Sequence, residues 1–131
     1  MNTNLLMTPN KQTAQLLFPE LSYLVSGVLF AVHNELGQYG REKQYGDLVA
    51  KKLTEAKTPF KREVAIADSG NILDFIIDNK IILELKSVRI LTKDNYRQIQ
   101  NYLQQTGLRL GLLVNFRGKY LRPVRIVRIY S

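Results

Sequence analysis

The sequence predicts an α/β protein, with a mixed central β-sheet flanked by helices in the order ααβββαββ. Three observations carry that expectation. Two apolar stripes at helical spacing come first, over residues 19–36 and 41–56. A compact set of strand-length runs follows, bounded by turn residues. A third helical stripe then separates two runs, 81–85 and 110–114, that are apolar without alternation and therefore read as strands buried on both faces. A strand, a helix and a strand in that order form a crossover unit whose strands run parallel, whereas the short turns elsewhere imply antiparallel neighbours.

Taken in order, residues 1–18 mix polar and apolar types without a sustained period and are expected to form an N-terminal arm, with residues 19–131 as one domain. Pro19 and Glu20 suit a helix start. Leu21, Leu24, Val25, Val28, Leu29, Val32 and Leu36 then repeat at helical spacing, and Gly37 suits the stop. His33 falls in the last turn, where a capping or surface role fits it better than catalysis. The second helix places Tyr45, Leu48, Val49, Lys52 and Leu53 at the helical period. Glu42 stands in its first turn, where the helix dipole favours a carboxylate, and Thr58-Pro59 ends it. Residues 60–67 alternate apolar and charged, as a strand with one wet face does, and Asp68-Ser69-Gly70-Asn71 is a turn. Thr92 suits the N-cap of the third helix, whose faces are set by Tyr96, Ile99, Gln100 and Leu103 and whose end is Gly107. Residues 110–116 and 124–130 are the last two strands.

Composition narrows the chemistry. An apolar fraction of 45% and a charged fraction of 23% are those of an ordinary globular domain. Without cysteine there is no disulfide framework, thiolate zinc site or cysteine nucleophile, and a single histidine excludes a histidine-rich metal site. Any chemistry must therefore rest on carboxylates, Lys, Tyr, Ser or Thr. The net charge is +8, and over residues 107–131 Arg109, Arg117, Lys119, Arg122, Arg125 and Arg128 face no acidic residue at all. Such a concentration suits a polyanionic partner, because neutralised phosphates release their counterions. Residues 1–8 lack the basic region of a signal peptide, and the most apolar window, 21–36, is too short and polar to span a bilayer. The expectation is a soluble, cytoplasmic protein.

The chemically telling stretch is 71–88, NILDFIIDNKIILELKSV, which reads as two strands joined at Asp78-Asn79-Lys80. Asp74 interrupts the first strand, while Glu84 and Lys86 interrupt the second. Residues two apart on a strand share a face, so Glu84 and Lys86 project together and the hairpin brings Asp74 beside them. Two carboxylates and an ammonium on an apolar hairpin are expensive unless they bind something, and a divalent cation is the usual partner. Phosphodiester hydrolysis needs this set. Mg2+ or Mn2+ held by Asp74, Glu84 and the Leu85 carbonyl neutralises developing charge and supplies hydroxide, with Glu42 completing the shell or ordering a bound water. Lys86 is placed to orient the attacking water or to stabilise the transition state.

Asp74 followed ten residues later by Glu84-Leu85-Lys86 resembles the signature of the PD-(D/E)XK nuclease superfamily. Val32-His33-Asn34-Glu35-Leu36-Gly37, Glu42, Tyr45, Gln98, Tyr102-Leu103 and the run from Gly107 through Asn115 to Phe116 further resemble the small GxxExxY family within it, over about residues 19–128. The resemblance implies a restriction-endonuclease-like core and metal-dependent phosphodiester cleavage. Glu42, Asp74 and Glu84 would be its acidic residues, Lys86 its lysine and Gln98 a polar side chain facing the site. Two departures stand out: Tyr39 occupies the position of the motif's opening glycine, with Gly40 next to it, and Ile72-Leu73 stands where a proline often precedes the first acidic residue.

The leading expectation is thus a Mg2+- or Mn2+-dependent nuclease acting on DNA, with Lys93, Arg97, Tyr102, Arg117 and Lys119 as nucleic-acid contacts. A module of the same fold that binds nucleic acid without cutting it is the alternative. A homodimer would be the simplest way for so small a domain to cut both strands of a duplex.

Overall fold

The structure, a computed structural model, describes residues 17–129. Residues 1–16 of the arm expected over 1–18, and residue 130 of the strand expected over 124–130, lie outside them; Leu17 and Phe18 are described and pack on the core, and the last strand ends at Val127.

The expected element order is observed. Helix α1, Pro19–Leu36, is followed by α2, Glu42–Glu55, then by strands β1, Phe60–Ala65, β2, Ile72–Ile77, and β3, Ile81–Lys86. Helix α3, Lys93–Thr106, leads to β4, Leu110–Asn115, and β5, Val124–Val127. The five strands lie side by side in sequence order, with β3 and β4 parallel and every other pair antiparallel. Helix α3 is therefore the crossover of the parallel pair. The chain belongs to the α/β class with a mixed sheet, consistent with a restriction-endonuclease-like fold.

Local chemistry sets the boundaries. Gly37 and Gly107 close α1 and α3 with φ of 72° and 75°, a conformation that glycine adopts without steric penalty. The β2–β3 turn puts Asp78 and Asn79 at φ of 51° and 52°, with the Lys80 N–H donating to the Ile77 carbonyl at 3.0 Å. That is a type I′ turn, whose twist matches the flanking strands. The first strand ends at Ala65 rather than at residue 67, because Ile66 enters a turn in which its carbonyl accepts from the Ser69 N–H.

Strand alternation divides the core between the two faces of the sheet. Ile81, Leu83 and Leu85 face α1 and α2 together with Phe75, Ile77, Leu112 and Val114, whereas Ile82 and Leu113 face Ile99, Tyr102 and Leu103 of α3. Glu84 has the parity of Ile82 and so lies under α3. That helix sits close to the sheet because Gly111 carries no side chain; a Cβ there would come within 2.6 Å of the Ile99 Cγ2. The same closeness brings Gln98 and Tyr102, one turn apart, over the end of β3.

Gly111→Ala is expected to destabilise the protein by about 1–3 kcal/mol through overpacking, read as a lower urea midpoint with an unchanged m-value.

Candidate active site

The site forms where the sheet parts. The β2–β3 ladder pairs Ile77 with Ile81, Ile76 with Ile82 and Phe75 with Leu83, and regular pairing stops before Asp74 and Glu84. There the side chains take over. The Asp74 N–H donates to Glu84 Oε1 at 2.7 Å, and the Leu85 N–H donates to Asp74 Oδ2 at 2.8 Å. On the other side of β2 the ladder with β1 also skips a step at Asp74, opposite Glu63, whose φ of 55° is unusual for a strand residue. The strand twists here too, since Leu73 joins the α3-side core although alternation from Phe75 would place it on the other face. Asp74 thus stands in a gap between two distorted strands rather than in a regular sheet.

Burial and charge make this pair unusual. Glu84 is 3% exposed. Burial pushes its carboxyl up to about 7, and the nearby Asp74 charge pushes the same way. Burial also raises Asp74, opposed by the hydrogen bond from the Leu85 N–H. The sequence-predicted lysine is beside them, with Lys86 Nζ 3.8 Å from Glu84 Oε2, an ion pair longer than a hydrogen bond. Glu42 opens α2 on the other side of the gap, where its Oε2 accepts from the Ser87 N–H at 3.4 Å. Its charge reaches both carboxylates and raises both. From α3, Gln98 lies beside Tyr102, near enough to act on its hydroxyl. Burial and the charges of Glu84 and Asp74 push that hydroxyl up to about 12, so it remains a proton donor at neutral pH.

Asp74, Glu84, Lys86, Gln98 and Tyr102 are therefore brought together, and Glu42 borders a cleft of about 250 Å3 that Asp74 and Leu85 also line. The other expected contacts lie further out. Lys93 and Arg97 are exposed on the first turns of α3, where Arg97 pairs with Asp94 at 3.1 Å. Arg117 and Lys119 are exposed on the β4–β5 connection.

Two residues of the site region, Arg62 and Asn115, were not singled out from the sequence. Arg62 lines the cleft, pairs with Asp47 at 2.8 Å and lies 5.5 Å from the Phe75 ring centre, fitting across α2 because Gly46 leaves room for it. Asn115 clasps the exit of β3: its amide donates to the Val88 carbonyl at 2.8 Å, and its Oδ1 accepts from the Val88 and Arg117 N–H groups. A polar residue ending an otherwise apolar run was the available signal for Asn115. His33 fastens the β4–β5 connection through a 2.9 Å bond between Nε2 and the Gly118 carbonyl, a structural role in keeping with its expected place outside catalysis.

A hard divalent cation fits the donor set. Buried Glu84 and half-buried Asp74 share one nearby ammonium, Lys86 Nζ, which lies 3.8 Å from Glu84 Oε2, leaving negative charge that a cation offsets. Asp74 Oδ1 and Glu84 Oε2 are outside the hydrogen bonds that join the strands. The Phe116 N–H donates to the Lys86 carbonyl, so the Lys86 peptide faces β4 and the preceding Leu85 peptide faces the gap. Among the described residues no three acidic or histidine side chains are grouped closely enough to hold an ion alone, so backbone oxygen and water must complete any shell.

A mixed α/β sheet that opens around paired carboxylates and a lysine has the make-up of a metal-assisted hydrolytic centre. The model of the PD-(D/E)XK nuclease superfamily matches residues 19–129, and the chain belongs to that superfamily. Its nucleases are generally phosphodiester hydrolases and typically use divalent metals. No curated protein and no solved structure matches the chain. Among the described residues no helix is long and apolar enough to cross a membrane.

The raised Glu84 carboxyl has a signed consequence for stability. Between its ordinary value of 4.5 and its folded value of about 7, the folded state holds a proton that the unfolded state has lost. Stability of the metal-free protein should therefore fall as pH rises through that window, by roughly 3 kcal/mol in total. Glu84→Gln should remove this fall, seen as a flatter plot of urea midpoint against pH.

Proposed function

We propose that this chain is a GxxExxY-type nuclease that hydrolyses phosphodiester bonds in DNA with Mg2+ or Mn2+. The observation that carries the reading is the reciprocal bonding of Asp74 and Glu84 across the opened β2–β3 ladder. It holds two carboxylates of raised pKa side by side with Lys86 next to them. The coarser part, a superfamily nuclease, rests on the family match.

The roles follow from position. Asp74 and Glu84, with the Leu85 carbonyl, would hold the ion, which when bound supplies charge neutralisation and a water acidic enough to act near neutral pH. Lys86 Nζ, not engaged in a close hydrogen bond with Glu84, can turn to a phosphate oxygen or to the attacking water. Glu42 is held by the Ser87 N–H at the far side of the cleft and suits the ordering of a water better than direct contact with the ion. Gln98 neighbours the Tyr102 hydroxyl, which stays protonated and so can donate to a phosphate oxygen. Lys93, Arg97, Arg117 and Lys119 supply exposed positive charge for the backbone on either side.

In a cleavage assay with purified protein, Mg2+ and labelled DNA, Asp74→Ala and Lys86→Ala should each reduce the rate by about 10²-fold or more, with far-UV circular dichroism unchanged. Calorimetry with Mn2+ should show binding heat that Asp74→Ala abolishes. Unchanged cleavage in both variants would refute the assignment, and intact DNA binding without cleavage or metal heat in the parent would make the chain a binding module.

A further inference from the structure

Two loops border the mouth of the site, and both carry tyrosines that nothing in the fold requires to be exposed. Tyr39, in the α1–α2 connection three residues before Glu42, is 79% exposed, and Tyr120, in the β4–β5 connection, is 73% exposed. Each ring has a cation beside it: the Arg117 guanidinium lies 5.6 Å from the centre of Tyr39, and Lys119 Nζ lies 5.6 Å from the centre of Tyr120. The first of these contacts joins the two loops.

Both loops are held firmly behind their exposed tips. Phe116 and Leu121 are buried on either side of the exposed Arg117-Gly118-Lys119-Tyr120, and Phe116 stacks on Tyr45 at 4.1 Å. Gln38 donates to the Arg117 carbonyl at 3.1 Å and His33 bonds the Gly118 carbonyl. The loops are also tied to the site. The Gly40 carbonyl accepts from Ser87 Oγ at 3.3 Å, Ser87 N–H donates to Glu42, and Asn115 links Val88 to Arg117. Anchored aromatic rings interleaved with cations are the parts of a platform for unpaired bases, because every base offers a π-face and every nucleotide a phosphate. A duplex hides those faces within its own stack.

We propose that Tyr39 and Tyr120, with Arg117 and Lys119, form a stacking platform that delivers single-stranded nucleic acid, or the unpaired part of a longer one, to the Asp74–Glu84 site. The proposal rests on the nuclease reading for its purpose but is tested by binding alone. Labelled oligo(dT), oligo(U) and a hairpin duplex are titrated into the whole chain in buffer with EDTA, where no cleavage occurs. The single strands should bind more tightly than the duplex. Tyr39→Ala and Tyr120→Ala should each weaken single-strand binding about tenfold, Tyr39→Phe and Tyr120→Phe should retain it, and duplex binding should not change. Arg117→Gln and Lys119→Gln should each flatten the salt dependence by about 0.7 in log–log slope. The chain has no tryptophan, so Tyr39→Trp adds a sole indole reporter, whose emission a stacked base should quench. Tighter binding of oligo(dT) assigns the platform to DNA and tighter binding of oligo(U) to RNA. Duplex binding as tight as single-strand binding, or alanine variants that match the parent, would overturn the proposal. Tyrosine-dependent binding by a chain that cuts nothing with Mg2+ would overturn the nuclease reading alone.

Discussion

The exchange of hydrogen bonds between Asp74 and Glu84 is the constraint on which the rest of the site depends. If the register that pairs Phe75 with Leu83 continued regularly, Asp74 and Glu84 would stand directly opposite each other, with both carboxylates on one face in repulsion. Here the Asp74 N–H turns to Glu84 and the Leu85 N–H turns to Asp74, so each carboxylate is fixed by a backbone N–H of the other strand. The bonds hold the charged groups in place without neutralising them. What remains is buried negative charge, visible in the raised Glu84 and Asp74 carboxyls, and this is the condition that makes a cation welcome.

The surrounding fold keeps that opening in register. Leucines and isoleucines on both faces of β3 anchor the strand between two helical layers, so the gap can open at its end without loosening its middle. Gly111 sets α3 close to the sheet, and the Tyr102 hydroxyl on that helix lies within the electrostatic reach of both carboxylates. On the other face Gly40 lets the Tyr45 ring pack against it; a Cβ there would lie 2.9 Å from Tyr45 Cζ. The Tyr45 hydroxyl takes the Gly40 N–H and donates to the Gly37 carbonyl, which sets the turn leading to Glu42. The motif glycine replaced by Tyr39 is thus not missed for this turn, and position 39 is left exposed at the rim.

Much of this was legible in the residues. Helical spacing located α1, α2 and α3 to within a residue or two, because each buries one continuous stripe. The two unalternating apolar runs announced a parallel pair, as β3 and β4 prove to be. Asp74, Glu84 and Lys86 were conspicuous because charges inside apolar strands need a reason. The hidden features are those that depend on distant partners. No local pattern marks Glu63 for a positive φ, since nothing but its place opposite Asp74 explains the distortion. Arg62 sits in an alternating strand where an arginine is ordinary, and its place in the cleft comes from Gly46 and Asp47 on α2. The twist that puts Leu73 on the α3 side cannot be seen in a sequence whose alternation is intact.

The most direct measurement is a crystal of the protein soaked in Mn2+, with anomalous scattering recorded at the manganese edge. An ion is expected between Asp74 and Glu84, within reach of the Leu85 carbonyl, and should be lost in Asp74→Asn. Manganese bound elsewhere, or Asp74 and Glu84 still joined only to each other's strands at saturating Mn2+, would contradict it.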